Sequence, residues 1–121
     1  DALAVVERWR AAATAIDIDG VVALYAPGAV LIGASSTTLA TTTADIRAYF
    51  ERGLRGRGPV GITLDEHRVV VLSDSAVVVS GLDTLTVGGD AVTSRGRVTF
   101  VLSRRDDGWK IVHFHRSTMP G

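Results

Sequence analysis

The first half of the chain places apolar residues at helical spacing. Between residues 2 and 16 they recur mostly every three or four positions, and the alanines among them have high helix propensity. Short acidic side chains and a glycine at 17–20 suit the end of one helix and the start of another. A brief second helix is therefore predicted over 21–25, stopping at Pro27.

A third helix is predicted after the polar stretch 35–43, which is expected to form a hairpin or loop. Thr43 is placed as its cap, and the apolar residues that follow form one stripe along the helix. The glycines within 53–58 end it. Ahead of the polar stretch, the apolar residues 29–34 are typical of a strand.

Beyond Pro59 the apolar period changes to two. Four runs have the alternation and β-branched content of strands: 62–72, 76–87, 92–104 and 109–117. Turn signals at 73–75 and 88–90 separate the first three. Helices followed by an antiparallel meander predict an α+β fold, with the helices packed on one face of a curved sheet. We expect residues 1–121 to form a single domain.

Composition narrows the class of protein. Positive and negative side chains balance at 13 each, so no overall field draws the chain toward nucleic acid or an anionic membrane. No apolar run is long enough to span a bilayer, and we expect a soluble, cytoplasmic protein without membrane or nucleic-acid partners. Whether a leader preceded Asp1 stays open. Cysteine is absent, which excludes disulfides, thiolate nucleophiles and cysteine-based metal sites.

The last strand carries a dense group of polar side chains, in the sequence HFHRS at 113–117. Alternation predicts two faces: Ile111, His113, His115 and Ser117 on one, and Val112, Phe114 and Arg116 on the other. Two imidazoles on one face suggest a metal site, but zinc needs at least a third ligand, from His67 or an aspartate. Structural or interface histidines are the favoured interpretation, so neither a metal nor an organic cofactor is predicted.

Three segments together resemble a known family: GVVALYAPGAVLIG at 20–33, ADIRAYFERGL at 44–54 and RRDDGWKIVHFHRS at 104–117. They resemble the SnoaL-like group of the nuclear transport factor 2-like superfamily, and within it bacterial proteins akin to the association domain of calcium/calmodulin-dependent kinase II. The resemblance implies a cone-shaped fold, in which N-terminal helices pack on a strongly curved antiparallel sheet and enclose a pocket. It also implies self-association, as a homodimer or a higher oligomer, through the convex face of the sheet.

The same resemblance suggests which residues line the pocket. Arg116 matches an arginine that lines the pocket of the kinase domain, and alternation brings Phe114 with it. Asp83 stands where the kinase domain has an arginine and bacterial relatives commonly have a tyrosine. Because a mid-strand aspartate is costly against an apolar pocket, an inward Asp83 beside Arg116 and an outward Asp83 stay open as alternatives. Phe100 replaces a second arginine, which favours a neutral, hydrophobic ligand over a small carboxylate.

The helices supply candidates for the rest of the pocket wall. Trp9, Tyr25 and Tyr49 lie on the first, second and third predicted helices, and the alternative role of each is ordinary core packing. The three side chains and the two phenylalanines are therefore candidate substrate-binding residues.

The leading hypothesis is a cofactor-independent acid–base enzyme of the isomerase, cyclase or lyase type, acting on a small hydrophobic or polyketide-like molecule. An inward Asp83 would be the general base, and Arg116 would stabilise the developing anion. The alternative is a non-catalytic ligand-binding or self-association module, in which His113 and His115 serve the oligomer. A pocket altered by engineering is a third interpretation of the departures at Asp83 and 40–43.

Overall fold

The computed structural model describes residues 1–89 and 92–121, and in it three helices pack against a curved, five-stranded sheet that does not close into a barrel. The helices are α1 (Ala2–Thr14), α2 (Ile18–Val22) and α3 (Thr43–Leu54). The strands are β1 (Tyr25–Ile32), β2 (Val60–Ser73), β3 (Ala76–Val87), β4 (Val92–Arg105) and β5 (Gly108–Thr118). The predicted α+β class is confirmed. Asp90, the last residue of the predicted turn at 88–90, lies outside the described residues.

Strands β2 to β5 form the predicted antiparallel meander, and β1 is added at its end. The spatial order is β1-β5-β4-β3-β2, and β1 runs parallel to β5. The two edges of the sheet are therefore β1 and β2. An irregularity in β2, between Leu64 and Glu66, interrupts the ladder with β3 and is of the kind that bends a strand.

Each helix begins at a polar cap. The carboxylates of Asp1 and Asp17 accept hydrogen bonds from backbone N–H groups in the first turns of α1 and α2. The hydroxyl of Thr42 accepts one from the N–H of Asp45 at 3.1 Å. The prediction that Thr43 is the cap is wrong by one residue, because Thr42 has the extended backbone typical of a cap and Thr43 is already helical.

The predicted second helix over 21–25 is displaced in the structure. The Asp17 cap starts α2 at Ile18, and the helix ends at Val22. Tyr25, predicted to be helical, is the first residue of β1 and pairs with Ile111 of β5. Pro27 lies inside β1, where an edge strand with irregular pairing tolerates the missing N–H.

A bulge in β5 changes which residues face the core. Val101 pairs with His113 and the next residue of β4, Leu102, pairs with Ile111, so Val112 is the extra residue. Ile111 is consequently buried in the core with Phe114, whereas Val112 is only half-buried. The prediction that Ile111 shares a face with His113, and Val112 a face with Phe114, is therefore wrong.

The core lies between the helices and the inner face of the sheet. Its centre is a cluster of aromatic rings with centroids between 5.2 and 6.5 Å apart: Trp9, Tyr25, Tyr49, Phe50, Phe100 and Phe114. Edge-to-face and tilted packing at such distances adds to the stabilisation from burial alone. Among the residues that the structure describes, no helix is long and apolar enough to cross a membrane.

Candidate functional site

Asp83 and Arg116 form a buried ion pair on the inner face of the sheet. Their side chains are 4% and 9% exposed, respectively. Nη2 of Arg116 donates to Oδ1 of Asp83 at 2.8 Å, and Nε lies 3.1 and 3.0 Å from Oδ1 and Oδ2. Asp83 therefore faces inward, beside Arg116, and the outward alternative does not hold.

A glycine on the strand between them lets the two side chains meet. Asp83 on β3 lies opposite Gly96 on β4, while Arg116 on β5 lies opposite Val98. The arginine side chain crosses β4 diagonally to reach the carboxylate, passing over Gly96. A Cβ atom at residue 96 would lie 2.5 Å from Nη2 of Arg116. Any larger residue at this position would collide with the guanidinium.

Two atoms of the ion pair, Nη1 of Arg116 and Oδ2 of Asp83, make few hydrogen bonds. Nη2 of Arg116 also donates to the carbonyl oxygen of Ser94 at 3.2 Å, whereas Nη1 has only a 3.5 Å contact with the Ser94 hydroxyl. Oδ2 of Asp83 accepts from Nε alone. Within the described residues, a carboxylate oxygen and a guanidinium nitrogen thus keep hydrogen-bonding capacity for a ligand.

A cavity of about 80 Å³ adjoins the ion pair. Asp83 and Arg116 are the charged residues of its lining, and the rest is aromatic or aliphatic: Trp9, Ala13, Tyr49, Phe50, Gly53, Leu54, Ile62, Leu85 and Phe114. The cavity lies between α1, α3 and the inner face of the sheet. A charged pair against apolar walls is the kind of environment in which electrostatic interactions are stronger than in water.

Three of the predicted substrate-binding residues line this cavity, and two do not. Trp9, Tyr49 and Phe114 are part of its wall. Phe100 packs on Trp9 with a centroid distance of 5.2 Å and borders a smaller void of about 20 Å³, which Asp83 also lines. Tyr25 lies behind the wall, packed against Phe114.

Tyr25 has a structural partner instead. Nε1 of Trp9 donates to the Tyr25 hydroxyl at 3.1 Å in the buried core. Burial raises the pKa of the Tyr25 phenol far above its usual range, and the hydrogen bond from Trp9 offsets only part of that effect. The hydroxyl therefore stays protonated at neutral pH and fixes the orientation of the Trp9 ring.

Tyr49 is held on α3 against a glycine of the segment that follows β1. A Cβ atom at Gly33 would lie 1.9 Å from the Tyr49 hydroxyl oxygen and 2.0 Å from Cζ. The ring therefore occupies the space that a side chain at residue 33 would fill. Tyr49 is half-buried, so one side of it lines the cavity and another reaches the surface.

The two histidines of the last strand do not join the cavity. Phe114 and Arg116 are buried, and His115 between them is exposed on the other face of the sheet. His115 lines an open groove there together with His67. Within residues 1–89 and 92–121, no group of three or more histidine, cysteine or acidic residues is arranged to hold a metal ion.

Sequence reasoning missed Gly96 and Ser94, which support Arg116 from β4. A glycine inside a strand often marks the close approach of another group, and the sequence SRGRVTF carries that signal at Gly96. Nothing in the sequence marks Ser94, because its main contribution is a backbone carbonyl.

Comparison with known proteins agrees with the fold. Residues 2–121 match the sequence model of the SnoaL-like domain. A crystal structure of a candidate calcium/calmodulin dependent protein kinase II association domain from Xanthomonas campestris is 30% identical, with a TM-score of 0.88 over 98% of this chain and 85% of that one.

Two more distant structures share the fold. A ketosteroid isomerase-like protein from Erwinia carotovora atroseptica is 20% identical, covers 99% of this chain and 95% of its own, and has a TM-score of 0.80. An NTF2-like protein with a cystatin-like fold from Novosphingobium aromaticivorans is 15% identical, covers 97% and 79%, and has a TM-score of 0.79. The chain belongs to the SnoaL-like domain family.

Proposed function

We propose that the protein is a cofactor-independent acid–base enzyme that removes a proton from carbon next to a carbonyl group of a small hydrophobic molecule. The observation that carries the proposal is the Asp83–Arg116 pair, buried at the wall of an otherwise apolar cavity. Burying an ion pair in a core is often no more stabilising than apolar packing, so stability alone does not account for it.

The two charged groups would have complementary roles. Oδ2 of Asp83, the less engaged oxygen, takes the proton, and the electron pair of the C–H bond moves toward the carbonyl to form an enolate. The guanidinium of Arg116, through Nη1, stabilises the negative charge on the enolate oxygen. Returning the proton to another carbon of the conjugated system completes an isomerisation and restores the Asp83 carboxylate.

The apolar wall would serve orientation and exclusion of water. Trp9 and Phe114 provide flat surfaces against which a ring can stack, and the Tyr25 hydroxyl fixes the Trp9 ring. One structural neighbour is named as ketosteroid isomerase-like, which is chemistry of this class on the same fold. The likeness to that protein concerns the fold, so it shows an architecture suited to this chemistry and leaves both the reaction and the substrate to experiment.

Conversion of cyclohex-3-enone to the conjugated cyclohex-2-enone tests the proposal with a small probe. Wild-type protein should accelerate the reaction, and Asp83→Asn should lower the rate by at least about 100-fold, because general-base catalysis typically contributes that much or more. Asparagine keeps the size of the side chain and one hydrogen bond to Arg116. Circular dichroism confirms that the variant is folded.

Asp65→Asn is the matched control. Asp65 lies on the neighbouring strand β2 and is exposed, with its carboxylate accepting hydrogen bonds from Thr63 and Thr84. This variant should retain full activity. Equal acceleration by wild type and Asp83→Asn would remove Asp83 as the base, and no acceleration by the wild type would favour the non-catalytic alternative.

A second candidate function is self-association through the outer face of the sheet, as a homodimer or a higher oligomer. Val70, Val78 and Val101 are cross-strand neighbours that form an apolar row on this face, and Val70 is 51% exposed. Leu72, on the same edge strand, is 61% exposed. Exposed apolar residues on an edge strand favour contact with another chain.

Sedimentation velocity tests this second candidate. The wild type should sediment as a dimer or larger species, and Val70→Lys should shift it toward the monomer, because a charge in the middle of an apolar contact is costly. His115 lies on the same face, so sedimentation of His115→Ala shows whether this histidine contributes to the contact between copies. Identical sedimentation of wild type and Val70→Lys would rule out this face as the contact.

A further inference from the structure

The cavity beside Asp83 is too small for a substrate as it stands. A water molecule takes up roughly 30 Å³ of liquid, and a cavity that binds benzene measures about 150 Å³. The cavity here has a volume of about 80 Å³, so it is smaller than the space required by a single six-membered ring. Part of its wall has to move before a ring can lie against Trp9 and Phe114.

Tyr49 separates this cavity from a second, polar depression. A cleft of about 190 Å³ lies on the other side of the Tyr49 ring, between α3 and the segment that follows β1. Its polar lining consists of Ser35, Ser36, Thr37, Thr38, Asp45 and Arg52. Tyr49 is the residue that lines both spaces.

The contacts of Tyr49 allow its side chain to turn aside. The ring packs against Gly33 and, edge to face, against Phe50 at a centroid distance of 5.3 Å. Within the described residues, its hydroxyl forms no hydrogen bond, unlike that of Tyr25. Packing alone therefore holds the ring, and its half-exposed position gives it solvent to turn into.

The opposite side of the cavity is more firmly closed. A groove of about 460 Å³ lies between α1 and β2, with Leu64 and Ile62 between it and Asp83. Arg10 on α1 ties this side together, since its Nη1 donates to the carbonyl oxygen of Ile62 at 3.3 Å. Opening this side would require α1 to separate from a paired strand, whereas opening the other requires one side chain to rotate.

We propose that Tyr49 is a movable wall, and that the ligand has a flat apolar ring beside Asp83 and an uncharged hydrogen-bonding chain in the hydroxyl-lined cleft. The inference rests on the proposed function, because it concerns how the substrate of that site reaches Asp83. The cleft carries one acid, Asp45, and one base, Arg52, so their charges cancel. Hydroxyl or carbonyl groups suit such a lining, whereas a charged group would gain no net attraction there to offset the loss of its hydration.

Three probes of one shape test the ligand class. The series is 3-phenylpropan-1-ol, 3-phenylpropionate and 3-phenylpropylamine, each titrated into uniformly labelled protein and followed by amide chemical shifts. The alcohol should bind more tightly than either charged analogue, and its shifts should fall at residues 35–38. Shifts confined to residues 62–64 would show that ligands approach between α1 and β2, and tighter binding of an ion would contradict the neutral class.

Two variants test the wall. Tyr49→Ala joins the cavity to the cleft and should tighten binding of the alcohol by at least about tenfold, because no side chain has to be displaced. Leu64→Ala, the matched control, widens the side facing α1 and should leave the affinity within about threefold. A larger effect of Leu64→Ala, or no binding to either wild type or Tyr49→Ala, would overturn the proposal.

The binding measurement is independent of catalysis. Asp83→Asn should still bind the alcohol with shifts at residues 35–38, even though it is expected to lose activity. If Asp83→Asn keeps its activity while Tyr49→Ala tightens binding, the catalytic proposal fails and the movable wall stands. If Asp83→Asn loses activity but ligand shifts appear at residues 62–64, the catalytic proposal stands and the movable wall fails.

Discussion

The guanidinium of Arg116 lies directly over Gly96 on its way from β5 to the Asp83 carboxylate on β3. The distance from a Cβ at residue 96 to Nη2 would be 2.5 Å, shorter than any real contact of that kind. The buried ion pair therefore depends on three strands: β3 provides the carboxylate, β5 provides the guanidinium, and β4 leaves the space between them free of a side chain.

Gly96→Ala should displace Arg116 and weaken the pair. The added methyl collides with a guanidinium that four hydrogen bonds to Asp83 and Ser94 hold in place, so the side chain cannot simply turn away. We expect the free energy of unfolding to fall by at least about 2 kcal/mol in urea denaturation. Gly53→Ala on α3, where a methyl meets no atom within 4 Å, should instead raise it by roughly 0.5–1 kcal/mol.

Removing one partner of the ion pair should cost more than removing both. Arg116→Met leaves the buried Asp83 carboxylate without its counter-charge, which typically costs about 3–5 kcal/mol of unfolding free energy. Asp83→Leu combined with Arg116→Met leaves no unpaired charge and should be more stable than the single variant. Chemical denaturation of both variants measures the difference, and a double variant less stable than Arg116→Met would contradict this picture.

Stability should decline at alkaline pH because of Tyr25. Burial raises its pKa in the folded state, so the unfolded chain releases the proton first, near the ordinary value of about 10. The contribution is complete below about pH 10 and falls by about 1.4 kcal/mol per pH unit above it.

Urea denaturation between about pH 9 and about pH 11 measures this slope. Tyr25→Phe should lose this pH dependence. Its free energy of unfolding should also be lower at every pH, because the Trp9 N–H is left without an acceptor. Tyr49→Phe is the control and should keep the slope of the wild type. The same alkaline slope in Tyr25→Phe would show that a group other than Tyr25 causes it.

Gly33 and Tyr49 should behave as a coupled pair. Gly33→Ala places a methyl within 2.3 Å of three atoms of the Tyr49 side chain, so the ring has to shift and stability should fall by about 1–3 kcal/mol. Tyr49→Ala removes the collision, and the double variant should be more stable than the sum of the two single effects predicts. Simple additivity in a double-mutant cycle would mean that the ring does not depend on Gly33.

Much of the fold could be predicted because its determinants are local. The helical stripe of α3 and the alternation of β3 define those elements from their own residues, and β3 begins and ends where predicted. The predictions failed where pairing with a strand distant in the sequence determines the local structure. Tyr25 becomes a strand residue because Ile111 of β5 pairs with it, and the bulge at Val112 reverses a face that strict alternation assigned to Ile111.

The sequence singled out Asp83 and Arg116 but not the geometry that brings them together, and Tyr25 and Phe100, also candidates, do not line the cavity beside that pair. Asp83 is recognisable in the sequence because an aspartate in the middle of a strand is unusual, and the family resemblance connected it with Arg116. That they meet depends on Gly96 and on the register of three strands, which no pattern in the individual strands specifies. The position of Tyr49 likewise depends on Gly33, 16 residues earlier in the sequence.

Exchange of the carbon-bound protons of cyclohex-3-enone in deuterated water tests the central proposal most directly, because it follows proton removal apart from any later step. With wild-type protein, nuclear magnetic resonance should show deuterium entering the substrate next to the carbonyl well above the background rate. With Asp83→Asn, deuterium should enter at least about 100-fold more slowly, and with Asp65→Asn at the wild-type rate. Equal incorporation by wild type and Asp83→Asn would contradict the assignment of Asp83 as the base.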